Sequence, residues 1–168
     1  MQQGRVPSKQ LACSATALYL LVATLAAWCV LSIDSWPWNH DYVSTFQRVE
    51  VFRLAYLAGD FFPIWTPFGQ NGYGSPFPFF YHRLYNSVVG LIALVCSTVT
   101  AVRISIPLML LIGGLGMFRL AKRVGISTPL ALASGVLLIL ANYTYTNWLV
   151  RGAMAETLAA MLVPWALN

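Results

Sequence analysis

Along this chain, long uncharged runs alternate with one polar interval crowded with helix breakers. Leu11 to Ile33 carries no charge over 23 positions. As a helix that is about 35 Å at ~1.5 Å per residue, enough to cross a hydrocarbon core of ~30 Å with some tilt. A cleaved signal peptide competes for this stretch, because Arg5 and Lys9 precede it. Its apolar core is too long for that, and Trp28 stands where small cleavage-site residues belong. The pattern predicts an uncleaved transmembrane helix over 11–33 behind a cytoplasmic N-terminus, 1–10. From Asp34 to Arg83 the chain turns to charge, Trp, Tyr, Gly and Pro, which predicts an extracytoplasmic loop over 34–83. Trp36 and Trp38 suit the headgroup level where a span leaves the bilayer.

Inside that loop Phe46, Val49, Phe52 and Tyr56 recur every third or fourth position, with Ser44, Thr45, Gln47, Arg48 and Glu50 between them. The period predicts an amphipathic helix over about 42–58 lying along the interface, ended by Gly59 and Asp60. Pro63, Pro67, Pro76 and Pro78, with Gly69, Gly72 and Gly74, leave no room for a regular element in 61–82. That stretch is expected to be an ordered loop pinned by its aromatics.

Leu84 to Val102 is again uncharged, followed by Arg103, an apolar run to Phe118 and the cluster Arg119, Lys122 and Arg123. Either 84–102 crosses fully, or 84–100 is an interfacial or transmembrane helix and 101–120 makes the crossing. An interfacial first piece keeps the cluster on the side of Arg5 and Lys9, and that arrangement is preferred. Thr128 to Leu149 predicts a further span, opened by Pro129 and closed by an interfacial belt of Asn142, Tyr143, Tyr145, Asn147 and Trp148. Residues 153–168 read as the start of another span that stops about two thirds of the way across, so the chain reads as truncated. GGLG at 113–116 lies in an apolar helix and is read as close helix packing, not a phosphate loop. The expected fold is all-α, a polytopic transmembrane protein with an ordered first extracytoplasmic loop.

Composition agrees: 58% of residues are hydrophobic, 9% are charged and mean hydropathy is +0.67, the profile of a membrane protein. The net charge of +5 does not imply nucleic acid, because the basic residues stand at the ends of apolar segments, where headgroups and topology place them. Cys13, Cys29 and Cys96 lack CxxC spacing and neighbouring His, and are expected to be packing residues.

Asp41 is the foremost candidate for chemistry. A carboxylate just beyond a transmembrane helix can act as a general base or hold a divalent cation, and it can equally complement the dipole of the next helix. His40 beside it can shuttle protons, although an exposed loop His is more often simply solvated. Arg48 and Arg53 can grip a lipid phosphate or merely snorkel. In GQNGYGSPFPFFY, Tyr73, Phe77 and Tyr81 suit stacking on a sugar ring or isoprenoid chain, or a structural cap. Glu156, a few residues into an apolar segment, invites a function or a partner. Arg151 lies about 140° from it on a regular helix of ~3.6 residues per turn, so a direct pair is not implied. Asp34 and Asp60 read as turn or cap residues.

Taken together, the anchor, NHD at 39–41, GDFFPIW at 59–65, GYGSPFPFFY at 72–81 and NWLVRGAMAE at 147–156 resemble the bacterial membrane family labelled 6-pyruvoyl-tetrahydropterin synthase-related. That family is related to the type C (GT-C) integral-membrane glycosyltransferases. The resemblance runs over residues 11–168. It implies a multi-pass protein of the bacterial cytoplasmic membrane, acting in the cell envelope, of which this chain is an N-terminal fragment. It further implies a polyprenyl-phosphate sugar donor in membrane lipid, a glycan or protein acceptor, no nucleic acid, and Asp41 as base or ligand to a divalent cation. Arg151 and Glu156 match the later RG and E positions. Where such proteins commonly carry a His shortly beyond the acidic position, this chain has Phe46, Gln47 and Arg48. Pterin synthesis needs a His cluster, and this chain has only His40 and His82. A transporter or non-catalytic assembly protein is the competing expectation, with Arg151 and Glu156 lining a pathway or subunit contact. Few intramembrane charges speak for an ion path.

Overall fold

The computed structural model describes residues 9–33, 36, 39–67 and 73–168. The expectations for Arg5, Asp34, Trp38, Gly69 and Gly72 fall outside them. Among the described residues the regular structure is helical, with one isolated antiparallel bridge between Thr66 and Ser75. Three stretches are long and apolar enough to cross a membrane: Lys9–Ala26, Thr98–Arg123 and Thr128–Arg151.

The first run folds as α1 (Lys9–Ala26), a break at Ala27 and the one-turn α2 (Trp28–Leu31). The amphipathic stretch forms α3 (Tyr42–Leu57), which buries Thr45, Val49, Phe52 and Tyr56. Phe46 leaves that stripe and meets Trp36 edge-on at 5.0 Å. Gly59 ends α3 at φ 85°, a left-handed conformation open to glycine, with Asp60 N–H donating to the Ala55 carbonyl. The breaker-rich loop is not wholly irregular. Thr66 and Ser75 exchange backbone hydrogen bonds of 2.9 Å, and Phe77–Phe80 winds into a one-turn α4 with Pro in its first turn.

Helix α5 (Arg83–Ile92) has 10 residues, about 15 Å at ~1.5 Å each, too short to cross. It doubles back onto α6 (Thr98–Arg123), capped by Ser97, whose hydroxyl accepts from the Thr100 N–H at 3.1 Å. The next span is broken. α7 (Thr128–Leu140) stops at Ala141, where ψ reaches 138°, and gives way to α8 (Asn142–Tyr145) and a π-helical turn (Thr146–Arg151). Thr144 satisfies a carbonyl freed by the break, donating to Leu138 at 2.8 Å. The re-coiling turns Asn147 and Trp148 inward, so both are buried instead of joining an interfacial belt. Helix α9 (Met154–Ala166) completes the chain's elements.

α6 is the central helix, in contact with α1, α7 and α9. Its GGLG stretch meets four side chains at close range: Gly113 faces Met161, Gly114 faces Tyr19 and Ile139, and Gly116 faces Trp165. Helices approach this closely because no Cβ intervenes, as in membrane helix packing generally. Tyr19 lies over both Gly114 and Gly135, and the Tyr145 hydroxyl donates to the Ala26 carbonyl at 3.3 Å. These contacts fix α1 and α7 running one way and α6 and α9 the other. Lys9, Arg119, Lys122 and Arg123 then share one end, while Asp41, Glu50 and Glu156 belong to the other. Cys13 and Cys29 are exposed on their helices, contrary to a packing role, and Cys96 is half-buried. A Cβ added at Gly135 would stand 2.6 Å from the Tyr19 ring and 2.7 Å from the Gly114 carbonyl. Gly135→Ala is therefore expected to destabilise the bundle by about 1–3 kcal/mol through overpacking, measured as a lower thermal midpoint in detergent.

Candidate functional site

The site is assembled where the chain leaves α2 and where it turns from the π-helical segment into α9. Asn39 donates from Nδ2 to the Leu149 carbonyl at 3.3 Å, and the Asp41 N–H donates to the Arg151 carbonyl at 3.0 Å. The Thr45 hydroxyl donates to the Gly152 carbonyl at 3.2 Å. Three hydrogen bonds thus fasten NHD and the first turn of α3 to residues 149–152, across more than a hundred residues of sequence. Gly152 makes this possible. Its φ is 72°, and its missing Cβ leaves room for the Asn39 side-chain amide.

That left-handed turn interrupts the helix and re-aims the residues beyond it. Arg151 and Glu156 are not separated by a helical twist of 140°, as a continuous helix would require, but pair directly, with Nη2 to Oε2 at 3.0 Å and Nη1 to Oε1 at 3.1 Å. Glu156 also accepts from the Tyr143 hydroxyl at 2.6 Å and from Asn147 Nδ2 at 3.3 Å, while Asn147 Oδ1 accepts from Arg151 at 2.7 Å. Glu156 stands in the first turn of α9, where a carboxylate complements the helix dipole. The pair is 45% and 38% exposed at its side chains, so solvent screens it. Glu156→Gln is expected to change stability by less than about 1 kcal/mol, measured by thermal unfolding. A larger loss of activity in that variant then reports on the site and not on folding.

A polar cleft of about 200 Å³ opens over this turn. Asp41, Arg48, Tyr81, Arg151 and Glu156 all line it, together with Thr45, His82, Tyr85, Asn86 and the backbone from Gly152 to Ala155. Asp41 occupies the N-cap position of α3 but its side chain does not cap the helix. Among the described residues no hydrogen bond to its carboxylate is found, so it is presented to the cleft. The Arg48 guanidinium lies 4.1 Å over the Tyr81 ring. Arg48 also borders a larger groove of about 620 Å³, whose walls include Phe46, Val51, Leu54, Phe77 and Val99.

The other expected residues lie elsewhere. His40 is exposed and does not line the cleft. Arg53 donates to Glu50 at 2.7 Å and to the Ala93 carbonyl at 3.0 Å, which closes the C-terminal end of α5, and Glu50 accepts in turn from Thr98. Tyr73 is 86% exposed and stands apart from the cleft. Among the described residues no three His, Cys, Asp or Glu side chains are grouped to hold a metal ion. Glu156, the other carboxylate lining the cleft, is committed to Arg151, Tyr143 and Asn147. Sequence reasoning missed Asn39, Thr45, Tyr143 and Asn147, which hold the site together. Asn39 and Asn147 had a signal, as the first residues of NHD and NWLVRGAMAE. No family model, curated protein or solved structure matches the chain.

Proposed function

We propose that this chain carries part of the site of a glycosyltransferase-like integral membrane protein that takes a sugar from a polyprenyl-phosphate donor. One observation carries the reading: NHD and RGAMAE, two of the motifs that carry the resemblance, converge on one cleft. In the proposed step Asp41 accepts the proton of the acceptor hydroxyl. The freed oxygen bonds to the anomeric carbon, and the bond from that carbon to the donor phosphate breaks. Polyprenyl phosphate leaves with both electrons of that bond, and Arg48 and Arg151 offset its growing charge.

The test is donor consumption. Membranes carrying the full-length protein are supplied with a radiolabelled polyprenyl-phosphate sugar, and release of label from the lipid fraction is compared with that in membranes lacking it. Equal release from both preparations would overturn the reading. Label crossing the membrane while still joined to lipid would favour transport.

A further inference from the structure

We infer that the aromatic tip of the connection between α3 and α5 is a membrane-seating wedge, its occupant the lipid of the bilayer interface at the cleft end of the bundle. Phe61, Phe62, Ile64, Trp65, Phe79 and Phe80 are each more than half exposed, Phe62 at 79% and Phe80 at 74%. They are nevertheless held from behind. Phe61 stacks on Tyr56 at 5.6 Å, Phe79 meets Phe80 edge-on at 5.0 Å, and the Trp65 indole covers Gly74 so closely that no Cβ fits between them. Six large apolar side chains exposed on one connection mark an interaction surface.

The height of the tip identifies the partner. The Tyr85 hydroxyl meets Ser105 Oγ at 3.0 Å, which pins the first turn of α5 beside Ser105. Ser105 stands near the start of the uncharged stretch of α6 from Ile104 to Phe118, bounded by Arg103 and Arg119. That stretch belongs to a helix long and apolar enough to cross a membrane. Arg83, two residues before Tyr85, lies 5.8 Å over the Phe62 ring, which brings the tip to the level of Arg103, the polar edge of that stretch. Trp, Tyr and Phe settle at that level, beside cations that meet lipid phosphates. Here the cations are Arg83 over Phe62 and Arg48 over Tyr81. Asp60, the acidic residue of the tip, is turned onto its own loop, where it accepts from the Phe62 N–H at 3.0 Å. The irregular backbone confines the wedge to the interface, because such backbone is not tolerated facing hydrocarbon. The inference stands on exposure and height, independently of the transferase reading.

The protein, with Cys13, Cys29 and Cys96 replaced by serine, is reconstituted into zwitterionic phospholipid vesicles. Spin labels are attached singly through Phe62→Cys, Phe80→Cys and, at the apex of the turn between α5 and α6, Val95→Cys. All three native side chains are exposed, so a label at each is accommodated without displacing the buried core. Labels at 62 and 80 are expected to relax with oxygen and lose their response to a water-soluble nickel chelate, with the reverse at 95. Nickel relaxation at either tip label shows water there and overturns the inference. A weak response to both reagents at the tip shows a protein cover and overturns it as well.

Discussion

Asp41→Asn is expected to lower transfer from a labelled polyprenyl-phosphate sugar by about 10²–10⁴-fold, the usual contribution of a positioned general base. The substitution keeps the shape of the side chain and removes the group that accepts the proton. It leaves the fastening of the loop intact, because Asp41 binds the RG turn through its backbone N–H and not through its carboxylate. Protein yield and thermal midpoint are therefore expected to match the parent. The measurement is the initial rate of label transfer at matched protein amounts in membranes. Rates equal to the parent would remove Asp41 from the mechanism and leave the cleft as a binding or structural feature.

The second large effect is expected at Gly152. Gly152→Ala meets two penalties, a left-handed φ of 72° and a Cβ driven into the Asn39 side chain, together costing about 1–3 kcal/mol. Gly125 separates the two. Its φ is 86° but open space surrounds it, so Gly125→Ala should cost only the left-handed strain, about 1–2 kcal/mol. If the clash matters, pairing Asn39→Ala with Gly152→Ala should cost less than the sum of the single changes, a coupling of about 0.5–3 kcal/mol for touching residues. Thermal unfolding in detergent reads all four variants. Strict additivity of the pair would mean that Asn39 and Gly152 do not act as one lock.

Much of this architecture is legible from local pattern. The period of Val49, Phe52 and Tyr56 marks α3, Gly59 marks its end, and GGLG marks where helices crowd against α6. Those features depend on neighbours within a turn or two, or on small size alone. The site is harder to read because its decisive features are departures from regular helix. The angular separation of Arg151 and Glu156 is meaningful only if the helix continues, and the π-helical turn and left-handed Gly152 remove that premise. The same re-coiling takes Trp148 from an expected belt into the core. Arg53 looked like a phosphate-binding or snorkelling residue by type, yet its Nε and Nη1 are engaged by the Ala93 carbonyl, a partner 40 positions away, and by Glu50. Such commitments arise from tertiary contact, which residue type does not specify.

The fastening of Asn39 to the Leu149 carbonyl spans 110 residues, and this has a bearing on biogenesis. Chains emerge from the ribosome N-terminus first, at roughly 5–20 residues per second. The segment bearing Asp41 is thus synthesised well before the turn that receives it. Until that turn arrives, the Asn39 amide and the Thr45 hydroxyl have only water or lipid headgroups to bond with. The cleft is consequently completed only once Gly152 has been made, and premature termination anywhere before Gly152 leaves the early loop without its dock.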